Sequence, residues 1–502
     1  MAEPKPAESG QGGGLALLSL LVGLATGGAV YGIIEYWGDV VEAGAVPATM
    51  MQAVVTFSAG WLLLAERGRL FGAIVPAAII AAVLAAPTWF FASVDLSSDG
   101  NFDFDSFPIF FWGFVAAPLS FYLMLTLAKA AIETGAPPRY ERVFLHGLTL
   151  PLTGGGAQLF AGLSLLLLYA WAALLKQMNV DFFSRLFDEP WFILPFLGAI
   201  GGLSIAMIRG QQSVLGALRF IILLFARIAM PIMAVFSVTF LAALAANGPD
   251  AIFDRPYPGG IMIGLAFAGM LIFNGVYQNG EGGPPPWWLR IPTIVAIAAF
   301  PVYAGFAAWA FWLRVDQYGL TPARIVGLAM NGLAFAYSFV LIAGLLTELD
   351  WKGKRWMPPV ASLNTIMAAL WVVVLIGVSS PLISSWAISA KSQERVLMTG
   401  KVAAKDFDFG YLRFRLGAPG EAALARIEAA ASGRPDEADI RAGAARARAA
   451  LSYWEYQNPD LVAPQPEAEA ESEDAEPPAD EGAQPGPMDL PFNPGDDPDT
   501  EQ

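Results

Sequence analysis

The chain has 502 residues, 56% hydrophobic and 15% charged, with mean hydropathy +0.52 and a formal net charge of −15. A soluble domain carries about 25% charged residues, so a soluble fold this apolar would lack the polar groups to cover its core. Cysteine is absent and His146 is the only histidine, which excludes disulfides, zinc sites of Cys and His, cysteine nucleophiles and haem held by a pair of histidines within one chain.

The charge is unevenly spread. Fourteen acidic residues and no basic ones lie between Gln457 and Gln502, so the rest of the chain is near neutral. The low pI therefore describes a tail and carries no indication of a nucleic-acid partner.

Residues 1–13 contain Pro, Gly and Glu and are expected to be disordered. Lys5 is offset by Glu3 and Glu8, and the apolar run that follows is long enough to span, so a signal peptide is not expected. Eleven apolar blocks of about bilayer length follow, near 14–34, 46–64, 70–92, 107–128, 157–177, 191–208, 218–245, 259–278, 291–313, 324–346 and 360–388. The seventh is long enough to tilt or to begin as an interfacial segment. The reading is all-α, a polytopic transmembrane helical bundle over residues 14–389, with the lipid bilayer as its surroundings.

The loops alternate in charge. One set holds Arg67 and Arg69, then Lys129, Arg139 and Arg142, then Arg209, Arg290, and Lys352, Lys354 and Arg355. The other holds Glu35, Asp39 and Glu42, then "VDLSSDGNFDFD", "NVDFFSRLFDEP" and "GPDAIFDRP". Basic loops stay in the cytoplasm, so the N-terminus is expected inside and the C-terminal region outside. The loop at 314–324 is discordant, because it carries Arg314 and Arg324 on the outer side. Residues 390–456 mix charges with aromatics and read as a small, mostly helical extracytoplasmic region, with "GRPDEAD" supplying a turn and a helix start. A segment of that size is near the limit for an independent core, so it is expected to lean on the bundle. Residues 457–502 are rich in Pro, Glu and Asp and are expected to be disordered.

Several polar residues invite a functional reading. Arg219 and Arg227 stand eight positions apart in an apolar stretch. A span beginning near 218 would put Arg227 about 12 Å deep, and Pro231 would free the Arg227 carbonyl. The functional reading is an anion site or gate inside the bundle. The plainer one is that both arginines snorkel to the interface or brace a neighbouring helix. In "LRVDQYGLTPARI", Arg314, Asp316, Gln317, Tyr318, Thr321 and Arg324 crowd a short connection. Thr321 and Pro322 suit a helix start, and Gly319 suits a left-handed turn. This is either a tight hairpin whose side chains bond its own backbone, or an outer binding site shared with the C-terminal region. Asn274, Gln278 and Asn331 are amides within apolar helices, expected to bond across helices. GxxxG pairs at Gly23–Gly27, Gly198–Gly202 and Gly260–Gly264 allow close helix approach. Trp287 and Trp288 fit an aromatic belt.

The aspartates Asp95, Asp99, Asp103 and Asp105 lack EF-hand spacing. No Walker A, HExxH, GxSxG or dinucleotide fingerprint is present. No catalytic residue, cofactor or metal site is assigned, and an enzyme is not favoured.

The stretches "QYGLTPARI" and "ISAKSQERVLMTGKVAAKDFDFGYLRFRLG" resemble the bacterial membrane family catalogued as domain of unknown function 4153, in its alphaproteobacterial form. The resemblance implies a multi-pass inner-membrane protein and assigns no activity. Within its first motif fall Gln317, Tyr318, Gly319, Leu320, Thr321 and Arg324. Two function classes follow. One is a structural or signalling envelope protein whose outer C-terminal region meets a periplasmic or membrane protein partner. The other is a transporter or channel with a polar path near Arg227. The pattern leaves the oligomeric state open.

Overall fold

The computed structural model describes residues 9–38, 44–66, 69–93, 107–248, 258–348 and 355–458. Residues 1–8, the aspartates between Asp95 and Asp105, Arg67, the Asp350–Lys354 charges and the tail from 459 lie outside the described residues. All regular elements among the described residues are helices. That is what long apolar blocks dictate in hydrocarbon, where a backbone must satisfy its own polar groups.

Eleven helices are long and apolar enough to cross a membrane. They are α1 (Ser9–Trp37), α2 (Ala45–Leu64), α3 (Ile74–Ala92), α4 (Phe107–Thr134, with a π-turn at Trp112–Ala116) and α5 (Tyr140–Gln177). The short α6 (Phe182–Asp188) then leads to α7 (Pro190–Gly210), α8 (Gln212–Asn247), α9 (Pro258–Tyr277), α10 (Trp287–Tyr318), α11 (Pro322–Glu348) and α12 (Pro358–Val378). The C-terminal region adds α13 (Ser385–Met398), α14 (Gly417–Ala430), α15 (Glu437–Ala449) and α16 (Tyr453–Gln457). The chain is thus an integral membrane protein of the helical-bundle class. Residues up to Gln457, bundle and C-terminal helices together, form one compact unit.

Two expected boundaries move by ten residues or more. The fifth span starts at Tyr140, not near 157. The helix runs through Pro151, and Val143, His146 and Leu150 bury its first turns. The eleventh ends at Val378, ten residues before the expected end, where "SSP" closes the helix and Ser380 caps a 3-10 turn at Pro381–Ile383.

Small residues set the closest helix contact. A Cβ on Gly23 would lie 1.9 Å from the Gly198 carbonyl oxygen, and one on Gly202 2.0 Å from that of Ser19. The first two GxxxG pairs therefore pack against each other and hold α1 on α7. The third does not, since a Cβ on Gly260 or Gly264 meets nothing within 4 Å. The centre of the molecule is α10, packed on α8, α9 and α11 through fully buried Ala296, Ile297, Ala299, Phe300 and Ala307. The far half of α5 is the reverse case, with Leu159, Leu163, Leu166 and Leu167 all exposed. Such a face suits a lipid surrounding rather than water.

Exposed tryptophans mark two levels on α10. Trp287 and Trp288 lie at its start, and Trp309 and Trp312 near its end. The pairs are roughly 30–40 Å apart at 1.5 Å per residue, a spacing that suits two aromatic belts around a hydrocarbon core of about 30 Å.

Candidate functional site

The α10–α11 connection, where six of the singled-out polar residues lie, stands beyond the second tryptophan level. Gly319 ends α10 with φ +74°, a conformation that favours glycine. Thr321 Oγ1 accepts the Arg324 N–H at 3.3 Å, and Pro322 opens α11. Two carbonyls and one N–H of this turn remain, and α13 takes them. Gln393 Nε2 donates to Tyr318 O at 3.0 Å and to Leu320 O at 3.2 Å, Ser389 Oγ donates to Leu320 O at 2.8 Å, and the Leu320 N–H donates to Ser392 Oγ at 2.9 Å. Arg324 donates to Gly319 O at 2.6 Å. The fit is tight, since a Cβ on Gly319 would lie 3.1 Å from both Gln393 Nε2 and Val396 Cγ2.

The loop forms a tight helical hairpin. Its polar residues do bond their own backbone, and the C-terminal region completes the set. Arg314 and Arg324 stand over the Tyr318 ring at 6.0 and 5.8 Å. Asp316 pairs with Lys401, an exposed pair that adds only about 0–1 kcal/mol. Gln317 is exposed and makes no hydrogen bond to a described residue.

Behind α13 sits a small aromatic core built by "FDFGYLRFRL". Phe407, Phe409, Leu412, Phe414 and Leu416 are buried with Leu424, Ile427, Ile440 and Tyr456. Arginines tie it together: Arg413 donates to Ala447 O at 2.6 Å, Arg446 to the Tyr456 hydroxyl at 2.9 Å, and Arg426 pairs with Glu394 of α13 at 2.7 Å. Arg434 holds the Asp436 carboxyl below its ordinary pKa through two hydrogen bonds, against a smaller effect of desolvation.

Of the two readings of Arg227, the structure does not support the interior one. Arg227 is exposed, not in the bundle interior, and makes no hydrogen bond or ion pair with a described residue. The physical reason is where α8 packs. Its neighbour Ala226 meets Gly275 near the end of α9, Met233 meets Gly269, and Ser237 bonds Tyr303. The helix begins six residues before the expected start, at Gln212, and before Ala226 only Leu215 is buried. Arg227 thus marks the start of the packed part of α8, on its outward side. Arg219 bonds its own helix at Leu215 O, 3.3 Å away.

Asn274 belongs to a buried node the sequence reading found only in part. Its Oδ1 accepts from Tyr140 at 3.2 Å and Asn364 at 2.7 Å, and its Nδ2 donates to Tyr337 at 2.8 Å. Four helices, α5, α9, α11 and α12, meet there. Asn331 donates to Ala304 O at 3.2 Å. Gln278 has left the helix, with φ +58°.

A second cluster was missed. At the end of the bundle away from the C-terminal region, Lys129 Nζ donates to Leu64 O at 3.0 Å and pairs with Glu66 at 2.6 Å. Arg209 donates to Leu62 O at 2.7 Å and also to Ala65 O. His146 Nε2 lies 2.9 Å from Glu133. Lys129 and Arg209 counted as loop charges in the sequence. The available signal was that Lys129 is followed by "AAIET", which places it inside its span. No group of His, Cys, Asp and Glu able to hold a metal occurs among the described residues.

The chain matches no protein-family profile, no curated protein and no solved structure.

Proposed function

We propose that this membrane protein is a structural or signalling component of a bacterial inner membrane, working through its C-terminal region toward a periplasmic or membrane protein partner. One observation carries the reading. The C-terminal helices are bonded to the backbone of the α10–α11 turn, and α10 is the centre of the bundle. A load on the C-terminal region therefore reaches α10 and α11, the two most buried spans, through these hydrogen bonds. The alternation of acidic and basic loops supports an outward-facing C-terminal region. Membership of the domain of unknown function 4153 family is part of the same reading, since the two stretches that carry the resemblance are the two halves of this contact. The transport reading drew on Arg227, on prolines within the spans and on amides at depth, and the exposed position of Arg227 removes the first of these.

A complementation experiment tests the proposal in a strain lacking the protein. Ser389→Ala with Gln393→Leu, which undocks α13, should insert normally and fail to complement, while Arg227→Leu should complement. Full complementation by the undocked variant and failure of Arg227→Leu would reverse the assignment.

A further inference from the structure

A cleft of about 680 Å³ opens between α3, α11 and α12. Its floor includes Leu333 and Val378, 2% and 4% exposed, and its rim Val373 and Leu382, 66% and 89% exposed. Every lining side chain is apolar, so the cleft offers water no partner and stays dry. Gly332 lines it, and a Cβ there would meet nothing within 4 Å, so a larger side chain at 332 would stand in the open space. Val378 is the last residue of α12 and Gly332 lies ten residues into α11, so the cleft occupies roughly the first 15 Å below the end that carries the C-terminal region. That is one leaflet's share of the hydrocarbon core.

We infer that this cleft holds one acyl chain of a bilayer glycerophospholipid. It is continuous with the lipid-facing surface through Val373 and Leu370. An empty cleft would forfeit the dispersion contacts of its lining, and in a bilayer the chains alongside recover them. A helix from a second copy is the wrong shape. At roughly 10 Å across, less than two turns would fit the volume.

The test uses the full-length protein in nanodiscs containing phosphatidylethanolamine with a diazirine on one acyl chain. After photolysis, adducts are mapped by mass spectrometry. Labelling of Leu333 and Val372–Val374 should exceed that of the open-face residues Leu163, Leu166 and Phe225 several-fold. Gly332→Leu should abolish the excess and leave the open-face labelling unchanged. Labelling that follows exposure alone, or that ignores Gly332→Leu, would overturn the inference. A control exploits the absence of cysteine. Val373→Cys should stay monomeric under oxidation, and a disulfide-linked dimer would assign the cleft to a second copy and overturn it equally. Size-exclusion elution matching the parent confirms that each variant is folded.

Discussion

Lys129 and Arg209 reach the last turn of α2 from two different helices and bond the carbonyls of Leu62, Leu64 and Ala65. A helix end leaves these carbonyls without partners and carries partial negative charge, so two cations there satisfy both needs. Arg209→Met should strand two carbonyls and lower stability by about 1–3 kcal/mol, read from thermal unfolding of the solubilised protein. Arg209→Lys should restore only part, because it lacks the planar fork. Arg227→Leu, at an exposed position with no described partner, should stay within about 0.5 kcal/mol of the parent. Glu66 gives a pH test. Desolvation raises its pKa, but the hydrogen bond and charge of Lys129, with Arg209 and His146 beyond, outweigh it and hold the carboxyl below its ordinary value. A depressed folded pKa stabilises above the unfolded value of about 4.3 and is lost as pH falls through the folded one. The stability gap between the parent and Glu66→Gln should therefore be constant near neutrality and close in acid. A gap that widened on acidification would contradict the pairing. Which arginine faces inward could not be read from spacing, because burial depends on which helix lies alongside. Arg209 read as a loop charge and Arg227 as an intramembrane one, yet it is Arg209 that has a helix end within reach.

At the level of elements, glycine spacing identified a helix contact but not its partner. Gly23–Gly27 and Gly198–Gly202 are separated by about 170 residues, and nothing in either says that they meet. Gly198→Ala would put a Cβ 2.1 Å from the Gly23 carbonyl oxygen and should cost about 1–3 kcal/mol by overpacking. Gly264→Ala, with open space around it, should be neutral or slightly stabilising through helix propensity. Equal effects in thermal unfolding would sink the claim that one pair is a contact and the other a free surface. Helix number and type were legible because lipid demands long apolar helices, and all eleven expected spans have a counterpart. Boundaries failed where a breaker residue did not break. Pro151 costs α5 one hydrogen bond without ending it, since the turns before it are buried. Ser379, Ser380 and Pro381 did end α12, and the residues assigned to its last turns begin α13 instead. The clamp was half legible. Thr321, Pro322 and Gly319 announced the turn, while Ser389, Ser392 and Gln393 looked like ordinary polar residues of a surface helix.

At the scale of the whole molecule, the proposed topology of eleven crossings puts the N-terminus and the C-terminal region on opposite sides of the membrane. Bundle and C-terminal helices belong to one compact unit and are joined at the α10–α11 turn. Four short hydrogen bonds, each contributing about 1 kcal/mol, would hold weakly alone. The buried contact of Gly319 with Val396 and the Arg426–Glu394 pair behind α13 extend the joint in both directions. The most direct test uses the absence of cysteine. Asp316→Cys and Lys401→Cys, side chains that pair in the structure, are combined in one chain, and intact membranes are treated with a short, membrane-impermeant bifunctional thiol reagent. The account predicts an intramolecular crosslink formed from the face opposite the N-terminus, and its loss when Ser389→Ala and Gln393→Leu are added. Two thiols that each label singly yet do not crosslink would show that the C-terminal region is not docked there.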